Sequence, residues 1–153
     1  MNSQHVACYL HYQYEIDAMP LIEAIWKANK KCYVPILIEG MALDFVRYEQ
    51  GDKLRPNKFY ILEPEEVSRR VAPEKLDLVV TPLVAFDLHG HRLGTGGGYY
   101  DRTFAFMHAD QYKKPLLIGL AFAKQQADSL PIDPWDIKLD GIVTERGVTI
   151  VGS

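Results

Sequence analysis

Residues 76–102 read LDLVVTPLVAFDLHGHRLGTGGGYYDR, an apolar run followed by a polar turn and four glycines within five positions. The continuous Leu and Val character of the first part fits a strand covered on both faces, as in a mostly parallel sheet. The glycines at 94 and 96–98 then strip the side chains from the backbone before Tyr99 and Tyr100 restore bulk. Clustered glycine loses entropy on ordering and packs nothing, so the run calls for permissive dihedrals or the close approach of another group.

The flanks of this stretch alternate in the same way. Val6–Tyr12 is apolar and β-prone, and Ala18–Asn29 sets Leu21, Ile22, Ile25, Trp26 and Ala28 at near-helical spacing. KCYVPILIEG and LDFVRYE read as strands, while Pro56, Asn57 and Pro64 punctuate a loop. Beyond the glycines, YYDRTFAFMHADQYK predicts a helix, Pro115–Phe122 a buried strand, and GIVT and VTIVG two short strands around a turn. The expectation is one α/β domain over 1–153, with helices against a central sheet.

Composition limits the function. With 153 residues, 48% of them hydrophobic, and a net charge of −3, the chain can bury a real core as a single domain. Its pI near 5.9 and lack of a basic run argue against nucleic-acid binding through bulk charge. The N-terminus has no basic-then-apolar signal pattern, and the longest apolar run is too short to span a bilayer, so no membrane partner and a cytoplasmic location are expected. Cys8 and Cys32 stand outside any ligand spacing and read as buried thiols.

The glycine run falls between a buried strand and a helix, where open α/β sheets bind ligands. Backbone N–H groups around Gly96, Gly97 and Gly98 form a cluster suited to phosphate oxygens, with a helix start near Tyr99. Neither common phosphate loop fits, because Tyr99 stands where GxGxxG needs glycine and no GK[ST] follows. Two readings of Asp101 stand: a Mg²⁺ ligand beside phosphates, or a carboxylate favoured by the helix dipole alone.

At this point the chain resembles a known family. TPLVAFDLHGHRLGTGGGYYDR (81–102) is similar to the signature of 5-formyltetrahydrofolate cyclo-ligase, and YLHYQYEID, FYILEP and LPIDPWDIKLDGIVTE resemble its other motifs in the expected order. The resemblance implies a three-layer α/β/α fold with a mostly parallel sheet. It implies ATP binding by Arg92, Leu93, Gly94, Thr95, Gly96, Gly97, Gly98, Tyr99 and Tyr100, and folate binding by Leu10, Glu15 and Thr95–Tyr99. Mg²⁺ would be held by Asp101 and Asp140, with Asp136 a weaker competitor for the cation.

The implied reaction uses ATP and Mg²⁺ to close 5-formyltetrahydrofolate, with or without a polyglutamate tail, to 5,10-methenyltetrahydrofolate, releasing ADP and phosphate. Phosphorylating the formyl oxygen turns it into a leaving group for attack by N10, chemistry that depends on positioning and charge rather than a protein nucleophile. No general base is assigned.

Other residues carry two readings. Glu15 either contacts the pterin or is solvated or helps to cap the following helix, and Glu63 either lines the folate site or precedes a turn proline. His89 and His91 sit in a polar turn rather than a metal site, and Trp26 and Trp135 read as packing residues. Two departures from the family are expected. The basic N-terminal helix that reaches the ATP phosphates is absent from this sequence, leaving Lys53, Arg55, Arg69 and Arg70 as substitute cations, and Tyr60 replaces a small residue and would crowd the folate pocket. The active enzyme therefore stands against a weak or inactive folate- or nucleotide-binding module, and against an unrelated nucleotide-binding protein with a convergent loop.

Overall fold

The apolar run at 76–86 is two strands, parted by Pro82, which has no N–H to give to a ladder. The structure, a computed structural model, describes residues 3–94, 97–109 and 111–151. In chain order its elements are β1 (His5–Ala7), α1 (Met19–Lys27), β2 (Lys31–Ile38), β3 (Ala42–Arg47), β4 (Leu54–Pro56), β5 (Leu62–Pro64), β6 (Arg70–Val71), β7 (Leu78–Thr81), β8 (Ala85–Phe86), β9 (Arg92–Leu93), α2 (Tyr99–Thr103), β10 (Leu116–Leu120), β11 (Gly141–Thr144) and β12 (Gly147–Ile150). The main sheet runs β12-β11-β10-β7-β1-β2-β3-β6, and β4–β5 and β8–β9 form separate ribbons.

The centre of the sheet is parallel, as the apolar runs imply: β11, β10, β7, β1 and β2 pair in parallel, and only β12, β3 and β6 enter antiparallel. From β1 the chain moves one way to β2, whereas β7, β10 and β11 extend the other way. The order thus reverses between β1 and β7, and the carboxyl ends of those strands open onto a crevice.

Period-2 alternation sends neighbouring residues to opposite cores. Ala7, Tyr33, Phe45, Val79 and Leu117 face one side with Phe104, Ile137 and Leu139. Val6, Val34, Val46 and Val80 face the other, where α1 inserts Ile22 and Ile25. Cys8 and Cys32 are buried free thiols on that second side.

The α layers are thinner than the sequence suggests. The helix expected from Tyr99 onward ends at Thr103, and a 3-10 turn at Ala105–His108 replaces the rest. Aromatic and β-branched residues are modest helix formers, and fully buried Phe104 is committed to the core at the break. The strand expected over Val6–Tyr12 likewise stops at Ala7, the chain leaving the sheet after the Cys8 N–H reaches Tyr33 O at 2.9 Å. That early exit carries Leu10 and Glu15 out over the crevice.

Asp77 ties together the opposite end of the sheet. Its Oδ2 accepts from the Gln4 and His5 amides at 3.0 and 2.9 Å, and its Oδ1 accepts from Lys114 Nζ at 3.1 Å. Burial opposes its ionisation, but the His5 amide, Lys114 and the Gln4 amide outweigh it and hold the pKa at about 2. Because that value lies below the unfolded one, Asp77 stabilises the fold above about pH 4 and the contribution disappears as pH falls toward 2. Asp77→Asn should lower stability by about 2 kcal/mol at neutral pH and flatten the acid limb of a denaturation series. An unchanged acid limb would contradict this.

Candidate active site

A cavity of about 430 Å³ lies in the crevice where the strand order reverses. Leu10, Glu15, Arg92, Leu93, Gly94, Gly97, Gly98, Tyr99, Tyr100 and Asp101 all line it, although they come from two distant stretches of sequence, 10–15 and 92–101. Thr95 and Gly96 fall outside the described residues. Of the predicted site residues that are described, Asp140 alone stands apart from this wall.

Arg92 occupies the middle of the site. Its Nη2 donates to Pro82 O at 2.8 Å, and its guanidinium lies 5.2 Å from the centroid of the Tyr100 ring. Burial lowers its pKa from the ordinary value, opposed by Asp101, Glu15 and Asp136, yet a guanidinium stays protonated. Its Nε is buried and has no hydrogen-bond partner among the described residues, a donor that an anionic ligand could satisfy.

Glu15 closes its own loop and faces the cavity as well. Its Oε1 accepts from the Tyr12 amide at 2.8 Å, and its own amide donates to Tyr12 O at 3.1 Å. Burial raises its pKa, while the Tyr12 amide, His11 and Arg92 oppose the rise. Glu63, across the cavity on β5, accepts from the Leu37 amide at 2.8 Å and from Asn57 Nδ2 at 3.0 Å. Both carboxylates therefore combine a structural bond with a place on the wall.

The glycine loop is shaped by its surroundings rather than by a long helix. Gly98 has φ +67°, the left-handed region that favours glycine, and a β-carbon at Gly97 would come within 2.6 Å of the Tyr99 ring. With only five residues, α2 adds little dipole, so the cradle expected from the sequence depends on loop amides and not on a helix end. Three consecutive residues of α2 each hold a different segment. Asp101 Oδ1 accepts from the Ile137 amide at 2.9 Å, Arg102 donates to Gly97 O and to Met41 O, and Thr103 Oγ1 accepts from the Leu43 amide at 2.9 Å. The Asp101–Ile137 bond adds a third role to the two that sequence reasoning allowed for this carboxylate.

Asp140 is placed differently from the expectation that pairs it with Asp101. Its Oδ2 accepts from the Leu117 amide at 2.8 Å and its own amide donates to Leu117 O at 2.8 Å, at the entry to β10 and β11. It lines a second hollow of about 470 Å³ that adjoins the main cavity, the two sharing Arg92, Asp133 and Asp136. The aspartates that share the main wall with Asp101 are Asp133 and Asp136, and both also line the second hollow. No cluster of three or more His, Cys, Asp or Glu suited to a metal occurs among the described residues. One or two carboxylates completed by phosphate oxygens and water are an ordinary Mg²⁺ set, so Asp101 with Asp136 fits such an ion.

Several smaller expectations change. Tyr60 does not crowd the cavity: the Asn57 side chain accepts from the Phe59 and Ile61 amides, Tyr60 adopts φ +63°, and its ring is 81% exposed while Phe59 and Ile61 line the wall. None of the substitute cations reaches the cavity. Arg69 pairs with Asp52 and Glu49, Arg70 pairs with Asp44, and Lys53 and Arg55 lie off the wall. Buried Asp87 organises the His89–His91 turn, accepting from both amides and from the Leu130 amide and contacting His91 Nδ1 at 2.9 Å. Trp26 packs as expected, but Trp135 is 63% exposed on the cavity wall.

The model of the 5-formyltetrahydrofolate cyclo-ligase family matches residues 1–145. A 5-formyltetrahydrofolate cyclo-ligase of Escherichia coli K12 is 42% identical over 146 residues, covering 94% of this chain and 79% of that protein. The mouse cyclo-ligase is 31% identical over 151 residues, covering 94% and 74%. The solved Aquifex aeolicus 5,10-methenyltetrahydrofolate synthetase superposes with a TM-score of 0.80 at 38% identity, covering 99% of this chain and 73% of that one. These matches exclude a convergent loop on an unrelated protein.

Arg102 is the anchor that sequence reasoning missed. Arg102→Ala should leave the melting temperature within a few degrees but speed amide exchange across Gly97–Thr103, measured by mass spectrometry. Unchanged exchange there would show that the loop holds its shape without it.

Proposed function

The chain belongs to the 5-formyltetrahydrofolate cyclo-ligase family, a family of enzymes, and we propose that it converts 5-formyltetrahydrofolate to 5,10-methenyltetrahydrofolate, consuming ATP with Mg²⁺ and releasing ADP and phosphate. The observation that carries this reading is the convergence of Leu10, Glu15, Arg92, the described glycines and Asp101 on one cavity at the reversal of strand order. A cytoplasmic location accords with it, and no described helix is long and apolar enough to cross a membrane.

Each residue has a role in this proposal. Arg92 binds and orients the phosphates, its charge retained despite burial. Gly94, Gly97 and Gly98 leave the backbone bare for the phosphates and make room for Arg92, Tyr99 and Arg102, whose side chains a β-carbon at those positions would meet. Leu10 and Glu15 hold the folate, with Glu15 fixed by the Tyr12 amide. Asp101 holds Mg²⁺ with Asp136 on the same wall, and Asp140, whose Oδ2 accepts from the Leu117 amide, keeps Oδ1 for a cation in the adjoining hollow. When bound, ATP with Mg²⁺ supplies the phosphoryl group that makes the formyl oxygen a leaving group. The protein's own part is positioning and charge, consistent with a wall that presents no activated nucleophile.

One observation favours a second reading. Among the described residues Arg92 is the only Lys or Arg on the cavity wall, against Glu15, Glu63, Asp101, Asp133 and Asp136. Such a balance would weaken the hold on a polyanion and suits a folate-binding module with little turnover.

Mixing the chain with 5-formyltetrahydrofolate, ATP and Mg²⁺ separates the two. The enzyme should develop the methenyl chromophore, and folate binding without chromophore at high protein concentration would leave the module. Asp101→Asn is the sharper companion, because the amide oxygen can still accept from Ile137. Turnover should fall by more than about 10²-fold with the melting temperature preserved. Wild-type turnover would reduce Asp101 to its structural bond.

A further inference from the structure

The two tryptophans of the chain differ in their surroundings. Trp26 is a packing residue: its Nε1 donates to Tyr48 O at 2.8 Å, and its ring meets Tyr48 edge-on at 5.1 Å between centroids. Trp135 is 63% exposed and lines the main cavity, and among the described residues no aromatic ring stacks on it. An indole left in water at the rim of a cavity that also presents Leu10, Phe59 and Ile61 is a surface awaiting an apolar face.

Its backbone is held firmly. The Asp133 amide donates to Asp136 Oδ2 at 2.9 Å and the Asp136 amide returns a bond to Asp133 O at 3.0 Å, closing a turn around it. His108 Nε2 lies 3.3 Å from Trp135 O, and two residues on, the Ile137 amide is bound to Asp101. Pro131 and Pro134 stiffen the same segment. The indole is therefore presented on a braced support beside the carboxylates, in the way that stacking platforms hold a planar ring.

We propose that Trp135 is a specificity-determining residue whose indole stacks on the fused nitrogen heterocycle of a ligand in this cavity. The identity of the ligand rests on the cyclo-ligase reading, in which two such rings are present, the purine of the nucleotide and the pteridine of the folate. Both offer the same flat π face, and the test distinguishes them.

Calorimetry measures the binding of 5-formyltetrahydrofolate, and separately of a non-hydrolysable ATP analogue with Mg²⁺, to the wild type, to Trp135→Ala and to Trp135→Phe. One of the two ligands should bind Trp135→Ala about tenfold more weakly, recover most of its affinity in Trp135→Phe, and leave the other unaffected. In steady state the KM for that ligand should rise by a similar factor while kcat changes less than about twofold. In Trp26→Phe, where Trp135 is the single tryptophan, the same ligand should quench indole emission saturably. Wild-type affinity of Trp135→Ala for both ligands overturns the proposal and leaves the cyclo-ligase reading intact. Failure of both ligands to bind the wild type overturns that reading and this assignment together.

Discussion

The hydrogen bond from Arg92 to the carbonyl of Pro82 joins the sheet to the loop that makes the site. Pro82 ends β7 because it has no N–H for the ladder, and its carbonyl at the carboxyl edge becomes available to a side chain. Arg92 supplies that side chain from the β8–β9 ribbon, and the Tyr100 ring lies across its guanidinium. A cation is thereby fixed at the reversal of strand order, beside Glu15, Asp101 and Asp136. The remaining parts of the cavity are arranged around this charge.

The short helix α2 does the complementary work of closing the wall. Asp101, Arg102 and Thr103 reach the 137 segment, the β2–β3 turn and β3 respectively, so five residues of helix bind together parts of the chain far apart in sequence. Local propensity contributes little to so short a helix, and its stability comes from these tertiary bonds and from the burial of Phe104. The same contacts tie the glycine loop and Asp101 to one short helix.

Much of this was legible in the sequence. The runs around Val79 and Leu117 identified strands buried on two faces, and the glycines together with Arg92 and Asp101 located the site because their chemistry is local. What stayed illegible depended on which way a turn faces. Asp136 and Asp140 are four residues apart and alike in sequence, yet one faces the cavity and the other holds the Leu117 amide. Tyr60 and Trp135 exchange their expected places for the same reason: the Asn57 turn points Tyr60 to solvent, whereas the Asp133–Asp136 turn puts Trp135 on the wall. The helix beyond Thr103 failed as an expectation because Phe104 is drawn into the core.

Among the described residues one cation faces five carboxylates on the cavity wall, which makes Arg92 the point on which ligand binding turns. Calorimetric titration of an Arg92→Ala protein with 5-formyltetrahydrofolate and with a non-hydrolysable ATP analogue plus Mg²⁺ tests this most directly. The account predicts nucleotide binding weakened by at least about 10²-fold and folate binding reduced as well, in a protein whose circular dichroism spectrum is unchanged. Wild-type affinity for the nucleotide in that variant would contradict it.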